Sequence, residues 1–343
     1  MALNLKVYYN NYSVSSILRQ TVHDYSFVAF FVLLVVIIVY LIAAKIIETK
    51  IMYEPVNKSH THKLDIRGLE YAVHTWGNPD ALPVFLLHGW ADSGLSFQFL
   101  ADALSNDWYL IAPDWRGFGE SAWNPQGYWF PDYLADLDAL LDYFSPDASA
   151  RLVGHSMGGN VACLYAGSRP QRVSRLVSMD VFGVEDAKPA DAPHRYEKWM
   201  QQIREQKTFS SYGKLDQLIE HIKKLAPGIN KDRAEFIAVS WSQVSSEGRG
   251  YTIKADPAHK KVNPVLYRRA ETRACWSRIT AATLFIFGED SRFFKRYFED
   301  DYQQECQHCF QDLSEKTISE AGHMLHLQQP EKLAEILTEF LHD

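Results

Sequence analysis

From Lys63 onward the chain alternates two hydrophobic rhythms. Short, nearly unbroken apolar runs occur at "PVFLLHG" (83–89), "WYLIAPDWRG" (108–117), "RLVSMDVFG" (175–183) and "ATLFIFGED" (282–290). Each has a length and composition suited to a strand buried on both faces. Between them lie amphipathic stretches with helical spacing: one near 95–105, one over 131–144 with Leu134, Leu137, Leu140 and Leu141 on one face, and "PEKLAEILTEFL" near the C-terminus with Pro330 in its first turn. "LDIRG" and "LEYAVHTWG" read as an opening hairpin around Gly68, and a last strand is expected near 314–319. Strand and helix patterns that alternate in this way predict a largely parallel sheet covered on both faces.

A different pattern precedes this region. Ser26 to Ala44 runs without a charge, and about 20 such residues cross a bilayer as a helix. A cleaved leader would have a shorter apolar core and a more basic start. The expectation is therefore a single-pass, membrane-anchored protein with an N-terminal segment (1–25), a transmembrane helix (26–44) and a linker (45–62). Lys45, Lys50, Lys58 and Lys63 follow the span, against Lys6 and Arg19 before it, which puts the C-terminal part on the cytoplasmic side.

Composition narrows the chemistry. A chain of 343 residues, 47% hydrophobic, can bury a large core, and a net charge of −7 with no basic stripe argues against a nucleic-acid partner. Four cysteines are too few for a disulfide scaffold. Cys306 and Cys309 form a C-x-x-C with no second ligand pair nearby, so zinc and redox readings are weak.

The stretch Gly154-His155-Ser156-Met157-Gly158 joins the apolar run "ARLV" to the helical pattern "GNVACLYAG". A serine on such a glycine-flanked strand-to-helix turn exposes its hydroxyl above a helix N-terminus, where a nucleophile is built. Three further motifs accompany it: "HGWADS" (88–93), "DWRGFGES" (114–121) and "AGHMLHLQQPEKL" (321–333). In this order and on these elements, the four motifs resemble the α/β-hydrolase superfamily, in its serine-nucleophile branch with a helical cap. The resemblance covers about 64–342. It implies an α/β-hydrolase fold, a mostly parallel eight-stranded sheet with helices on both faces. The core would comprise 63–182 and 281–343, and a helical cap 183–280, with helices at about 193–206, 214–226, 231–243 and 264–278.

A serine nucleophile needs a base and an acid that orients the base. His323 is the expected base. His155, His326 and His88 are read as structural. The oxyanion donors are expected to be the backbone N–H groups of Met157 and Trp90. The acid departs from the family pattern, because the usual position, three residues after Gly288, is Ser291. Two carboxylates compete: Asp180 after "LVSM", which is favoured, and Asp290 beside the usual position. Asp114 and Arg116 are expected to hold a loop. Phe182, Trp199, Phe236, Trp241, Tyr267 and Trp276 are candidates to line a substrate pocket.

A serine nucleophile rules out the aspartate-based route to epoxides and haloalkanes. It suits a small-molecule ester substrate, apolar or lipid-like, cleaved through an acyl-enzyme with no metal or organic cofactor. Acyl transfer or carbon–carbon bond hydrolysis on the same residues, or a non-catalytic binding protein of this fold, are the alternatives. Oligomeric state is not legible in the chain.

Overall fold

In this computed structural model the described residues are 53–104, 107–245 and 248–342, together with Val32. The strands are β1 (His60–Ile66), β2 (Leu69–Trp76), β3 (Leu82–Leu87), β4 (Trp108–Pro113), β5 (Ala150–His155), β6 (Val173–Met179), β7 (Ser211–Tyr212), β8 (Ser242–Val244), β9 (Tyr251–Ile253), β10 (Ala282–Gly288) and β11 (Leu313–Ile318). The α-helices are α1 (Gln98–Ala103), α2 (Phe130–Phe144), α3 (Met157–Ser168), α4 (Ala192–Gln202), α5 (Leu215–Leu225), α6 (Lys231–Trp241), α7 (Arg269–Trp276), α8 (Arg292–Glu299), α9 (Tyr302–Cys309), α10 (Leu325–Gln328) and α11 (Pro330–His342).

Eight strands form one sheet in the order β1-β2-β4-β3-β5-β6-β10-β11. β2 runs antiparallel to both of its neighbours, and every other pairing from β4 to β11 is parallel. The hairpin turn between β1 and β2 falls on Arg67 and Gly68, both at positive φ. Successive side chains of a strand point to opposite faces, and the core divides accordingly. Phe85, Leu87, Phe285 and Phe287 join one cluster with Leu137, Leu140 and Val161 of α2 and α3. Val84, Leu86, Leu284 and Ile286 join the other with Leu100, Leu333 and Leu337 of α1 and α11. Runs that are apolar at every position are therefore required by the two-sided burial.

The chain between β6 and β10 carries α4 to α7, close to the four helical stretches expected there, and also a small sheet in the order β7-β9-β8. Strands of two or three residues are too short to leave a periodic trace, which is why only helices were expected. A third cluster packs Leu218, Ile219 and Ile222 of α5 and Ala234, Ile237 and Trp241 of α6 against Phe99, Met324 and Leu327. The Cys306 and Cys309 thiols are free and buried on α9.

Two expectations for the N-terminal part need correction. Among the described residues no helix is long and apolar enough to cross a membrane, which overturns the transmembrane helix and the single-pass localisation built on it. The longest described helix, α2, carries Asp132, Asp136, Asp138 and Asp142 and buries only one face. The stretch 26–44 itself lies, apart from Val32, outside the described residues. In addition, β1 begins at His60, inside the stretch 45–62 read as a linker.

The turn after β5 is packed against the end of β3. A Cβ on Gly158 would stand 2.1 Å from the Leu87 carbonyl oxygen, and one on Gly154 would stand 2.4 Å from the Gly158 carbonyl oxygen. Backbone cannot yield to such contacts as a flexible side chain does. Gly158→Ala is therefore expected to destabilise the protein by about 1–3 kcal/mol through overpacking, read as a lower urea midpoint; an unchanged midpoint would contradict this packing.

Candidate active site

β5 delivers the chain to His155, and the backbone then turns abruptly. Ser156 holds φ 51° and ψ −115°, and α3 starts at the next residue. This is a strained conformation for a residue with a Cβ. It is pinned from both sides: the Ser156 N–H donates to the Met179 carbonyl of β6 at 3.0 Å, and its own carbonyl accepts from the Asn160 N–H at 3.1 Å. The hydroxyl is left on the wall of a cavity rather than in the sheet.

His323 lies in the loop between β11 and α10. Its Nε2 stands 3.2 Å from Ser156 Oγ, its Nδ1 is 2.6 Å from Asp180 Oδ2, and Phe293 stacks on the ring at 5.0 Å. An ionised carboxylate only accepts hydrogen bonds, so Nδ1 carries the proton and Nε2 is left to accept from the serine hydroxyl. Asp180 is fully buried at the end of β6 with φ 54°. Besides the His323 bond it accepts from Ser291 Oγ at 2.5 Å and from the Gly288 N–H at 3.3 Å. Those donors offset the cost of burying the charge.

Of the two competing carboxylates, Asp180 is brought to His323 and Asp290 is not. Asp290 is exposed, with its N–H donating to the Ala321 carbonyl at 2.9 Å. It lines a separate 810 Å³ cavity that also reaches Lys224, Arg292 and His323. The expected alternative Asp290 is corrected by this placement: it follows the end of β10 on the solvent side, while the inward position is taken by Ser291. Ser291 stands where an acid is usual, as the sequence shows, but its role as donor to the acid after the neighbouring strand is visible only in the fold. The available signal was a small donor standing where a carboxylate is usual.

Met157 opens α3, so its N–H belongs to the first turn, where helical N–H groups lack an intrahelical partner. The loop after β3 closes on the same point: a Cβ on Gly89 would lie 3.2 Å from Ser156 Cβ. Trp90 therefore follows a backbone segment in contact with the serine. His88 fixes that segment, donating from Nδ1 to the Gly89 carbonyl at 2.7 Å and accepting the Trp115 N–H on Nε2 at 2.9 Å. Burial lowers the His88 pKa, in keeping with this neutral form. Asp114 accepts the backbone N–H groups of Gly94 (2.7 Å) and Glu120 (2.8 Å), while Arg116 pairs with Asp136 at 2.5 Å.

The cavity at Ser156 measures 550 Å³ and is walled mostly by apolar groups such as Trp90, Phe209, Leu218, Trp241 and Ile253, with Asp92, His155, Ser210, His221 and Lys260 among its polar members. Trp90 also borders a 750 Å³ chamber shared with Met157, Tyr128, Trp129 and Trp199. Among the aromatics expected to line a pocket, Trp241 lines the cavity at Ser156 and Trp199 the second chamber. Phe182 lines a smaller 230 Å³ hollow, Phe236 packs edge-on against Tyr53, Tyr267 bonds Thr272, and Trp276 is buried in the core.

The sequence over residues 83–330 matches the family model described as "alpha/beta hydrolase fold". The chain belongs to the α/β-hydrolase family. It is similar to a serine hydrolase-like protein of Danio rerio, 25% identical over 78% of this chain and 83% of the relative. It is also similar to the esterase YbfF of Escherichia coli (strain K12), 25% identical over 76% of this chain and 93% of that one. Among solved structures, the thioesterase domain from the curacin biosynthetic pathway superposes with a TM-score of 0.73 at 20% identity, over 82% of this chain and 100% of that domain; this likeness concerns the fold. The chain is thus a serine hydrolase-like member of the α/β hydrolases.

Ser291 has two partners: its Oγ donates to Asp180 and accepts the Phe293 N–H at 3.1 Å as the cap of α8. Ser291→Ala removes a buried carboxylate's donor and a helix cap together. The expected loss is about 1–3 kcal/mol of stability, measured by urea unfolding; a variant as stable as the wild type would show that Asp180 is held without it.

Proposed function

We propose that this protein is a carboxylesterase-type serine hydrolase that cleaves a small ester with an apolar acyl part. One observation carries the reading: the hydrogen-bonded series Ser156 Oγ, His323 Nε2, His323 Nδ1, Asp180 Oδ2 at 3.2 and 2.6 Å, opening on a mostly apolar cavity.

In this reading Ser156 Oγ attacks the ester carbonyl while His323 Nε2 takes its proton. Asp180 keeps the imidazole in the Nδ1–H tautomer and stabilises the imidazolium that forms. In this reading the oxyanion is received by the backbone N–H groups of Met157, in the first turn of α3, and of Trp90, in the loop after β3. His323 then protonates the leaving alkoxide, and the alcohol departs. Water, deprotonated by the same nitrogen, releases the acid from the acyl-enzyme. The acyl group occupies the 550 Å³ cavity between Trp241, Leu218 and Ile253, and the alcohol leaves past Trp90 toward the second chamber. The similarity to an esterase over most of both chains supports the choice of ester over other acyl substrates.

The test is fluorophosphonate labelling and hydrolysis of short-chain p-nitrophenyl esters. Wild-type protein is expected to label at one serine and turn over, and Ser156→Ala to do neither. Asp180→Asn should lower kcat by about 10³–10⁴-fold, as loss of the orienting acid does, with Asp290→Asn within about threefold of wild type. Folded wild-type protein that neither labels nor turns over, or labelling that survives Ser156→Ala, would contradict the reading.

A further inference from the structure

Beside the Ser156–His323 pair lies a second group of polar side chains with no part in that reaction. Asp92, His155 and His326 are all buried, and each offers a ligand atom within 4.8 Å of the other two. Their hydrogen bonding is incomplete in a specific way. His155 Nε2 is 2.7 Å from the His323 carbonyl oxygen. A carbonyl only accepts, so Nε2 holds the proton and Nδ1 presents a bare lone pair; that atom is buried without a partner. His326 is fully buried with neither ring nitrogen partnered, and its Nε2 lies 3.7 Å from Asp92 Oδ2. The Asp92 carboxylate is itself held, by the Ser93 N–H at 2.7 Å and Ser96 Oγ at 3.1 Å. Buried polar atoms left unpaired cost stability, and two imidazoles, each offering one nitrogen beside a fixed carboxylate, describe a coordination site.

We propose that Asp92, His155 and His326 bind a first-row transition-metal dication of the zinc class, and that its binding restrains the Ser156–His323 pair. Two imidazole nitrogens and one carboxylate suit Zn²⁺ and its neighbours and are a poor set for Mg²⁺ or Ca²⁺, which take oxygen. The surrounding bonds are those expected around such a site: His155 gives its other N–H to a backbone carbonyl, and two donors orient the carboxylate. Tetrahedral zinc with bonds of about 2.0–2.2 Å holds its ligand atoms about 3.3–3.5 Å apart, so the group contracts on binding. His155 immediately precedes Ser156 and bonds the backbone of His323, so the contraction reaches both. A shift of about 1 Å in such a pair costs on the order of 10²-fold in rate. The metal is thus an inhibitor and not a cofactor. Its effect on turnover rests on the proposed hydrolase activity, whereas its binding does not.

The test uses the full chain stripped of metal and titrated with Co²⁺, whose d–d absorption reports tetrahedral nitrogen–oxygen ligation, with Zn²⁺ as competitor. One ion per chain is expected. It should persist in His323→Ala, which excludes capture by the proposed base, and its affinity should fall at least about 100-fold in His326→Phe, a change that keeps a ring against Phe97. Asp92→Asn provides a second variant should His326→Phe fold poorly, and should weaken binding likewise. Zn²⁺ should slow ester hydrolysis by wild type at least about tenfold and leave His326→Phe unaffected. No ion bound by wild type, or wild-type affinity retained in both ligand variants, would overturn the site; binding as assigned with unchanged turnover would overturn the restraint.

Discussion

A single buried carboxylate ties the candidate site together. Asp180 follows β6, its backbone N–H is bonded to the Ile286 carbonyl of β10, and its side chain accepts from Gly288 at the end of β10, from Ser291 capping α8 and from His323 after β11. A charge without solvent is tolerable only where enough donors converge on it, so the ends of β6 and β10 and the two loops are fixed relative to one another. The position of His323 follows from this convergence, and with it the distance to Ser156.

The sheet supplies the other half of the constraint. β5 and β6 are adjacent and parallel, and each is followed directly by a non-glycine residue at positive φ, Ser156 and Asp180. Strain of about 1–3 kcal/mol at such positions persists only where surrounding structure holds it. Here the holding contacts are backbone bonds to Met179 and Ile286 and the glycine-only approach of α3 to β3. Two strained turns side by side place a hydroxyl and a carboxylate on one edge of the sheet, with the imidazole loop between them. Loop, strand end and helix start each contribute one group to a cavity that the helices between β6 and β10 wall off.

Much of this was legible in the chain. Unbroken apolar runs announced strands buried on both faces, and the glycines around Ser156 announced a turn that only close backbone approach explains. His323 was legible from its place before the closing helix. The choice between Asp180 and Asp290 was harder, because it depends on which side chain turns inward at adjacent strand ends, a property of register that spacing does not encode. Ser291 illustrates the limit: its hydroxyl matters only because Asp180 sits on the neighbouring strand. The lining of the cavity was largely illegible for the same reason, since Phe209, Tyr212 and Ile253 come from short segments with no period of their own. Hydropathy alone carried the membrane reading at 26–44, and no described helix bears it out.

The central claim is that the carboxylate at the end of β6, rather than one after β10, orients His323. Proton NMR of the His323 Nδ1–H tests it most directly, because a short bond to a buried carboxylate moves that proton far downfield. The account predicts a far-downfield resonance that is absent in His323→Ala, lost in Asp180→Asn and retained in Asp290→Asn. A resonance that survives Asp180→Asn and disappears in Asp290→Asn would contradict it.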